Sequence, residues 1–175
     1  MLVTSLVALL PLCAPSIDPS TALRLIQAES AGQQFAININ GPFRLSRQAR
    51  TYAEFEQLVL ALDAGGHNFD FGFAQANNRE VRRRGYAVSA KIDPCSNLGF
   101  LQEVLAACFQ AAPRSADAQR RLGDALSCYN TGKYGPGYAN GYVRRVWYAT
   151  PSSAKAAMAV VPTDKVPPQL LEKKS

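Results

Sequence analysis

The chain has little with which to hold a metal or a nucleotide. It contains one histidine, His67, and its four cysteines, Cys13, Cys95, Cys108 and Cys128, nowhere show CxxC spacing, which argues against a structural zinc site. Neither a GxGxxG loop nor a phosphate-loop lysine pattern is present, so nucleotide binding is discounted and no cofactor is expected. Charge is sparse at 18% of residues and leans positive, with a net +6 that comes partly from Arg82, Arg83, Arg84 and the final Lys173 and Lys174. Such a balance favours acidic polymers or surfaces without choosing among nucleic acid, anionic lipid and cell-wall material. No nucleic-acid motif accompanies the arginine triplet, which reads more simply as a solvated helix face, so no nucleic-acid partner is expected. Long apolar runs are missing too. Met1 to Leu12 has the apolar character of an export-signal core, but it lacks a basic leading region and an Ala-x-Ala cleavage site and is too short to span a bilayer. Residues 1–12 are therefore set apart as the remnant of an incomplete export signal, and stable membrane insertion is not expected.

What is present suits one domain of ordinary size: 175 residues, 47% of them apolar. The most informative stretch is Asp18 to Ser30. Asp18 can cap a helix whose first residue is Pro19, and Ala22, Leu25 and Ile26 then fall on one side. Glu29 lands on that same apolar stripe. A carboxyl there has its ionised form disfavoured, so its pKa should rise and it can donate a proton near neutral pH. The bland alternative is a helix-end Glu that reaches solvent and does nothing.

Further helices follow from caps and periodicity. Thr51 to Glu54 matches a capping box, followed by Phe55, Leu58, Val59 and Leu62, and Gly65-Gly66 stops the run. Asp93-Pro94 starts a helix with Leu98, Leu101, Val104, Leu105 and Cys108 on one stripe, and Ala116 to Tyr129 forms another. A last short helix begins near Tyr142. Between these, Gln33 to Ser46 reads as an irregular or extended loop and Thr131 to Gly141 as a Gly and Tyr-rich loop. His67 to Asn78 reads as a short extended segment that puts Phe69, Phe71, Phe73 and Gln75 on one side and points Asp70 away from Gln75. His67 itself is expected to be a surface or turn residue. The chain from 149 to 175 is rich in Pro, Ala and Lys and is expected to be a disordered tail.

Two disulfides formed in an oxidising compartment are expected, with four buried thiols as the alternative. Cys95 and Cys108 lie about 20 Å apart along one helix, beyond disulfide reach. An antiparallel hairpin would bring Cys128 back toward Cys95, which predicts Cys95–Cys128 and leaves Cys13–Cys108.

Glu29-Ser30, Gly72 to Asn77, Cys128-Tyr129-Asn130 and Asn140 to Val143 come in the order and rough spacing of the soluble lytic transglycosylase family. The chain most resembles the branch encoded with type IV secretion systems, in which Cys13 to Ser16 and Asp93 to Leu98 also have counterparts. The resemblance covers about Cys13 to Trp147 and implies a mainly α, lysozyme-like domain over residues 13–148. It also implies cleavage of the β-1,4 bond between N-acetylmuramic acid and N-acetylglucosamine in peptidoglycan, in the periplasm, with formation of a 1,6-anhydro product. Glu29 matches the single catalytic acid of the family, Ser30 a residue that fixes the acid or contacts sugar, and Gln75, Asn77 and Asn130 residues of the glycan groove. Tyr129 matches a tyrosine that hydrogen-bonds the acid. Tyr142 is a candidate to stack on a sugar ring, with core packing as the alternative. Phe73, Ala74 and Ala76 depart from the family's usual Leu-Met and Ile, which changes groove shape. The implied partners are peptidoglycan glycan strands and secretion-system subunits met through the tail, with the protein a monomer. The competing expectation is a glycan-binding scaffold of the same fold, in which catalysis is secondary. Asp70 is the nearest candidate for a second carboxylate.

Overall fold

The computed structural model describes residues 6–114, 117–151 and 171–174. Helix α1, Leu6–Cys13, leads into α2, Pro19–Ser30, whose first turn is capped by Asp18 accepting from Thr21 N at 2.9 Å. Strands β1, Ile37–Asn40, and β2, Phe43–Leu45, precede α3, Tyr52–Ala64. Next come β3, Asn68–Phe71, β4, Ala76–Asn77, and α4, Asn78–Arg83, then a 3-10 turn over Val88–Lys91. Helices α5, Pro94–Ala111, and α6, Ala118–Thr131, are followed by the short α7, Pro136–Ala139, by α8, Tyr142–Trp147, and by strand β5, Leu171–Lys173. The chain is thus mainly α with a small sheet, as the lysozyme-like expectation requires.

Two cores form. Leu10, Leu25, Ile26, Leu98, Leu101 and Leu126 bury into the helical one, where α1, α2, α5, α6 and α8 meet. Phe55, Phe69, Phe71, Phe100, Ile37 and Ile39 bury into the other, between the sheet, α3 and one face of α5. Leu6–Cys13 is therefore part of the domain from Leu6 onward, with Leu10 1% exposed, whereas the sequence set residues 1–12 apart.

The stretch 33–46, expected as loop, contains two strands. Strand β1 pairs antiparallel with β3, and β3 with β4, in the order β1-β3-β4. Period-two alternation then separates the faces. Ile37, Ile39, Phe69, Phe71 and Ala76 point into the core, while Asn38, Asn40, Asp70 and Asn77 point the other way. The aromatic alternation stops at Gly72, φ +79°, where an added Cβ would lie 2.6 Å from the Asn97 side chain; only glycine fits this turn. Beyond it Phe73 enters the helical core instead of continuing the Phe69 and Phe71 face.

The disulfides differ from the expected pairing. Cys13 joins Cys95 and Cys108 joins Cys128, with Cα separations of 4.9 and 5.8 Å. Helix α6 does not return along α5 to its start. Its last turns pass Cys108, which puts Cys128 about a helix length away from Cys95. That leaves Cys95 to the end of α1, which packs beside α5; just beyond α1, Ser16 N donates to Gln102 Oε1 in the middle of α5 at 2.6 Å. The tail is corrected at its end: β5 pairs antiparallel with β2 in the register Phe43↔Lys173 and Leu45↔Leu171. Residues 152–170 of the expected tail lie outside the described residues.

Candidate active site

A groove of about 1090 Å³ runs between the two cores, and its walls come from α2, β1, β3, the 72–77 turn, α4, α5 and α6. Glu29 stands at its floor because helix α2 buries Ala22, Leu25 and Ile26, and the next position on that stripe is the carboxylate. The helix ends immediately afterward. Ala31 takes a left-handed conformation, φ 52°, and its N–H bonds Gln27 O. Ser30, buried, shares its one hydroxyl proton between Ile26 O at 3.1 Å and Phe73 O at 3.0 Å, so it ties the helix end to the 72–77 turn.

Glu29 keeps some exposure to the groove, but its surroundings exclude enough water that burial lifts its pKa from 4.5 to about 7. The Tyr142 hydroxyl, bonded to Oε1, opposes that rise; the negative charge of Asp70 adds to it, and Arg145 again opposes it. Tyr142 opens α8 and is 2% exposed, its own N–H held by Asn140 Oδ1 at 2.9 Å. Burial pushes its phenol well above 10, with the Glu29 charge contributing, so Tyr142 acts here as a donor.

This differs from the role expected for Tyr129. That residue donates its hydroxyl to Ala74 O at 2.7 Å, bracing the turn, and the bond to the acid comes from Tyr142. The reason is where α8 docks: its first residue lies against the end of α2, whereas the Tyr129 hydroxyl is taken up by Ala74 O. Tyr142 has neither of its expected roles alone, being packed in the core by its ring and turned to the acid by its hydroxyl.

The remaining expected residues line the groove. Gln75, at φ 45°, donates from Nε2 to Ala36 O at 3.2 Å and Gly72 O at 3.0 Å. Asn77 caps α4 with its Oδ1, accepting from Arg79 N and Glu80 N, and gives its Nδ2 to Asn68 Oδ1 and Asp70 Oδ1. Asn130 accepts from Asn140 Nδ2 at 3.0 Å. Asp70, expected to point away from Gln75, lines the same groove, because alternation does not carry through the Gly72 turn.

Three residues escaped the sequence reading. Asn97, 1% exposed, accepts from Ala74 N at 2.9 Å and donates to Phe71 O and Lys91 O, both at 3.2 Å, and so holds the turn from inside. Its signal was a polar side chain on the Leu101, Val104 and Cys108 stripe, the same anomaly that marks Glu29. Asn40 and Arg145 carried no such signal. Of the arginine triplet, Arg82 pairs with Asp63, Arg83 with Glu80, and Arg84 with both Glu80 and Glu103. Arg82 and Arg83 fit the reading of a solvated helix face, whereas Arg84 is half-buried over the Phe100 ring, and Arg83 and Arg84 also line the groove.

Similar proteins carry related names. Protein virB1 of Agrobacterium fabrum is 32% identical over 134 residues, which cover 77% of this chain and 54% of that protein. Type IV secretion system protein virB1 of Brucella abortus is 30% identical over 162 residues, 89% of this chain and 68% of its own length. Protein virB1 of Rhizobium radiobacter is 32% identical over 158 residues, 90% of this chain and 62% of its own. The chain thus spans roughly half to two thirds of these relatives. No family profile and no solved structure matches it.

Proposed function

The chain belongs to the VirB1 family of type IV secretion system proteins, and on that premise we propose that it is a peptidoglycan lytic transglycosylase with Glu29 as its acid and base. The observation that carries this reading is a carboxyl with a pKa of about 7 at the floor of a groove walled by amides. A proton donor works best when its pKa is near the working pH, and amide side chains suit a neutral, hydroxyl-rich glycan. Tyr142 fixes Oε1, which leaves Oε2 to the glycosidic oxygen. Protonation from Glu29 lets the C1–O bond break. The resulting carboxylate then takes the proton of the C6 hydroxyl as O6 bonds C1, and Glu29 regains its starting state without water being consumed. Gln75, Asn77 and Asn130 hold the sugars along the walls, and Ser30 holds the helix end that carries the acid.

On this reading the protein acts in the periplasm, opening the wall locally for assembly of an envelope-spanning secretion machine. It works as a monomer that meets secretion-system subunits through residues 149–175. Among the described residues no helix is long and apolar enough to cross a membrane.

The test is mass spectrometry of soluble products from peptidoglycan sacculi incubated with the protein or with Glu29→Gln. Muropeptides ending in 1,6-anhydro-N-acetylmuramic acid are expected from the wild type alone, with Glu29→Gln still binding the sacculi. Sacculi bound by both proteins and cleaved by neither would replace the enzyme with a glycan-binding scaffold.

A further inference from the structure

The groove is unevenly charged. Glu29 and Asp70 stand among its amides, whereas the cations among its lining residues, Arg83 and Arg84, both come from the end of α4, one turn beyond Glu80. Arg84 is committed to the fold. Half-buried, it donates to Glu80 Oε1 at 2.8 Å and to Glu103 Oε1 at 3.1 Å, and it lies over the Phe100 ring. Arg83 is not so committed. Its side chain is 78% exposed, and among the described residues it bonds only Glu80 Oε2, through Nη2. An ion pair this exposed is exchanged for another carboxylate at little cost. A guanidinium has five N–H donors, and those on Nε and Nη1 remain for a ligand. Positive charge is in excess nearby: Arg79 and Lys91 have no ion pair among the described residues, and Lys91 sits over the Tyr86 ring instead.

The glycan backbone is neutral and offers a guanidinium nothing to pair with. The carboxylates of peptidoglycan are carried by the short peptide attached to the lactyl group of muramic acid, and the arginine fork matches a carboxylate with two parallel bonds. The spacing suits such a branch. Arg83 lies six residues beyond Asn77, about 9 Å along the α4 axis, which two or three extended residues cover at about 3.3 Å each. We propose that the α4 end of the groove is a subsite for that acidic peptide, with Arg83 taking its carboxylate and Arg84 fixing Glu80 beside it.

This inference rests on the transglycosylase reading above and adds a substrate preference to it, for strands whose peptides keep their free carboxylates. Arg83 touches no reacting atom. Its contact is the same before and during bond breaking, so it acts on KM and leaves kcat alone.

The test compares soluble peptide-bearing glycan strands with the same strands after their peptide carboxylates are converted to carboxamides. For the wild type, KM should be about tenfold lower on the acidic strands, with kcat alike on both, and added salt should erase the difference. Arg83→Ala should raise KM on the acidic strands about tenfold and leave KM on the amidated strands unchanged. Arg82→Ala removes the same charge from the same helix but outside the groove lining, and should change neither. Equal KM values for the wild type and Arg83→Ala on the acidic strands overturn the subsite. An equal loss in Arg82→Ala also overturns it, by assigning the effect to net charge. A wild type that cleaves neither strand overturns the transglycosylase reading separately. Fluorescence anisotropy of end-labelled strands with Glu29→Gln, alone and combined with Arg83→Ala, then decides the subsite by affinity: a preference for acidic strands that vanishes with Arg83 supports it, and equal affinities overturn it.

Discussion

The two cores on either side of the groove are held by different means. The helical one, where α1, α2, α5, α6 and α8 meet, is tied by both disulfides, one toward each end of α5. The one beneath the sheet contains no disulfide and relies on aromatic packing, with Phe69 and Phe71 fully buried and Phe55 1% exposed. The acid comes from the pinned side and most of the amide wall from the sheet side. A carboxyl kept out of water costs stability once ionised, and the covalent ties sit on the side that bears that cost. The amide wall needs only strand register, which the Ile and Phe face of the sheet fixes. Asn97 and Tyr129 span both: Asn97 bonds Phe71 O and Ala74 N, and Tyr129 packs against each core.

The comparison breaks most sharply at Phe71. Truncation to Ala should cost up to about 5 kcal/mol in urea unfolding, because Phe71 is fully buried in that aromatic packing. The disulfides give the converse. Replacing Cys13 and Cys95 by Ser, which opens a link across 82 residues, should cost about 4 kcal/mol. Replacing Cys108 and Cys128, 20 residues apart, should cost about 3 kcal/mol. Hydrogen exchange should then show protection lost first in α1 and α6 while β1 and β3 keep theirs; loss first in the sheet would contradict the division. A smaller effect sharpens it at the groove. Tyr142→Phe removes a bond worth about 1–2 kcal/mol, and because that bond lowers the Glu29 pKa, the basic limb of activity should move to higher pH.

Much of the helical structure, on both sides of the groove, was legible in the sequence. Asp18 and Thr51 cap the helices they were expected to cap, and Asp93 caps the helix it was expected to start, since a cap and a 3.6-residue stripe are both local. Glu29 was legible for the same reason, as a carboxylate on an apolar stripe. The sheet was less so, because a left-handed step at Gly72 and another at Gln75 fold the strand back and reset which side chains face the groove. The disulfide pairing and the exchange of roles between Tyr129 and Tyr142 depend on how α6 and α8 dock. Nothing local in either helix specifies that. Strand β5 is three exposed residues, and only its partner β2 defines it as a strand.

Glu29 itself is the most direct test, through 13C NMR titration of its carboxyl alongside stability of the wild type and Glu29→Gln over the same pH range. A carboxyl whose folded pKa is raised from 4.5 to about 7 weakens the fold as pH climbs through that window, since the unfolded chain gives up the proton first. Glu29→Gln should therefore gain up to about 3 kcal/mol on the wild type between about pH 4 and pH 8, less any screening by groove water. The account predicts a carboxyl midpoint near 7 and diverging stability curves. A midpoint near 4.5 with parallel curves would contradict it.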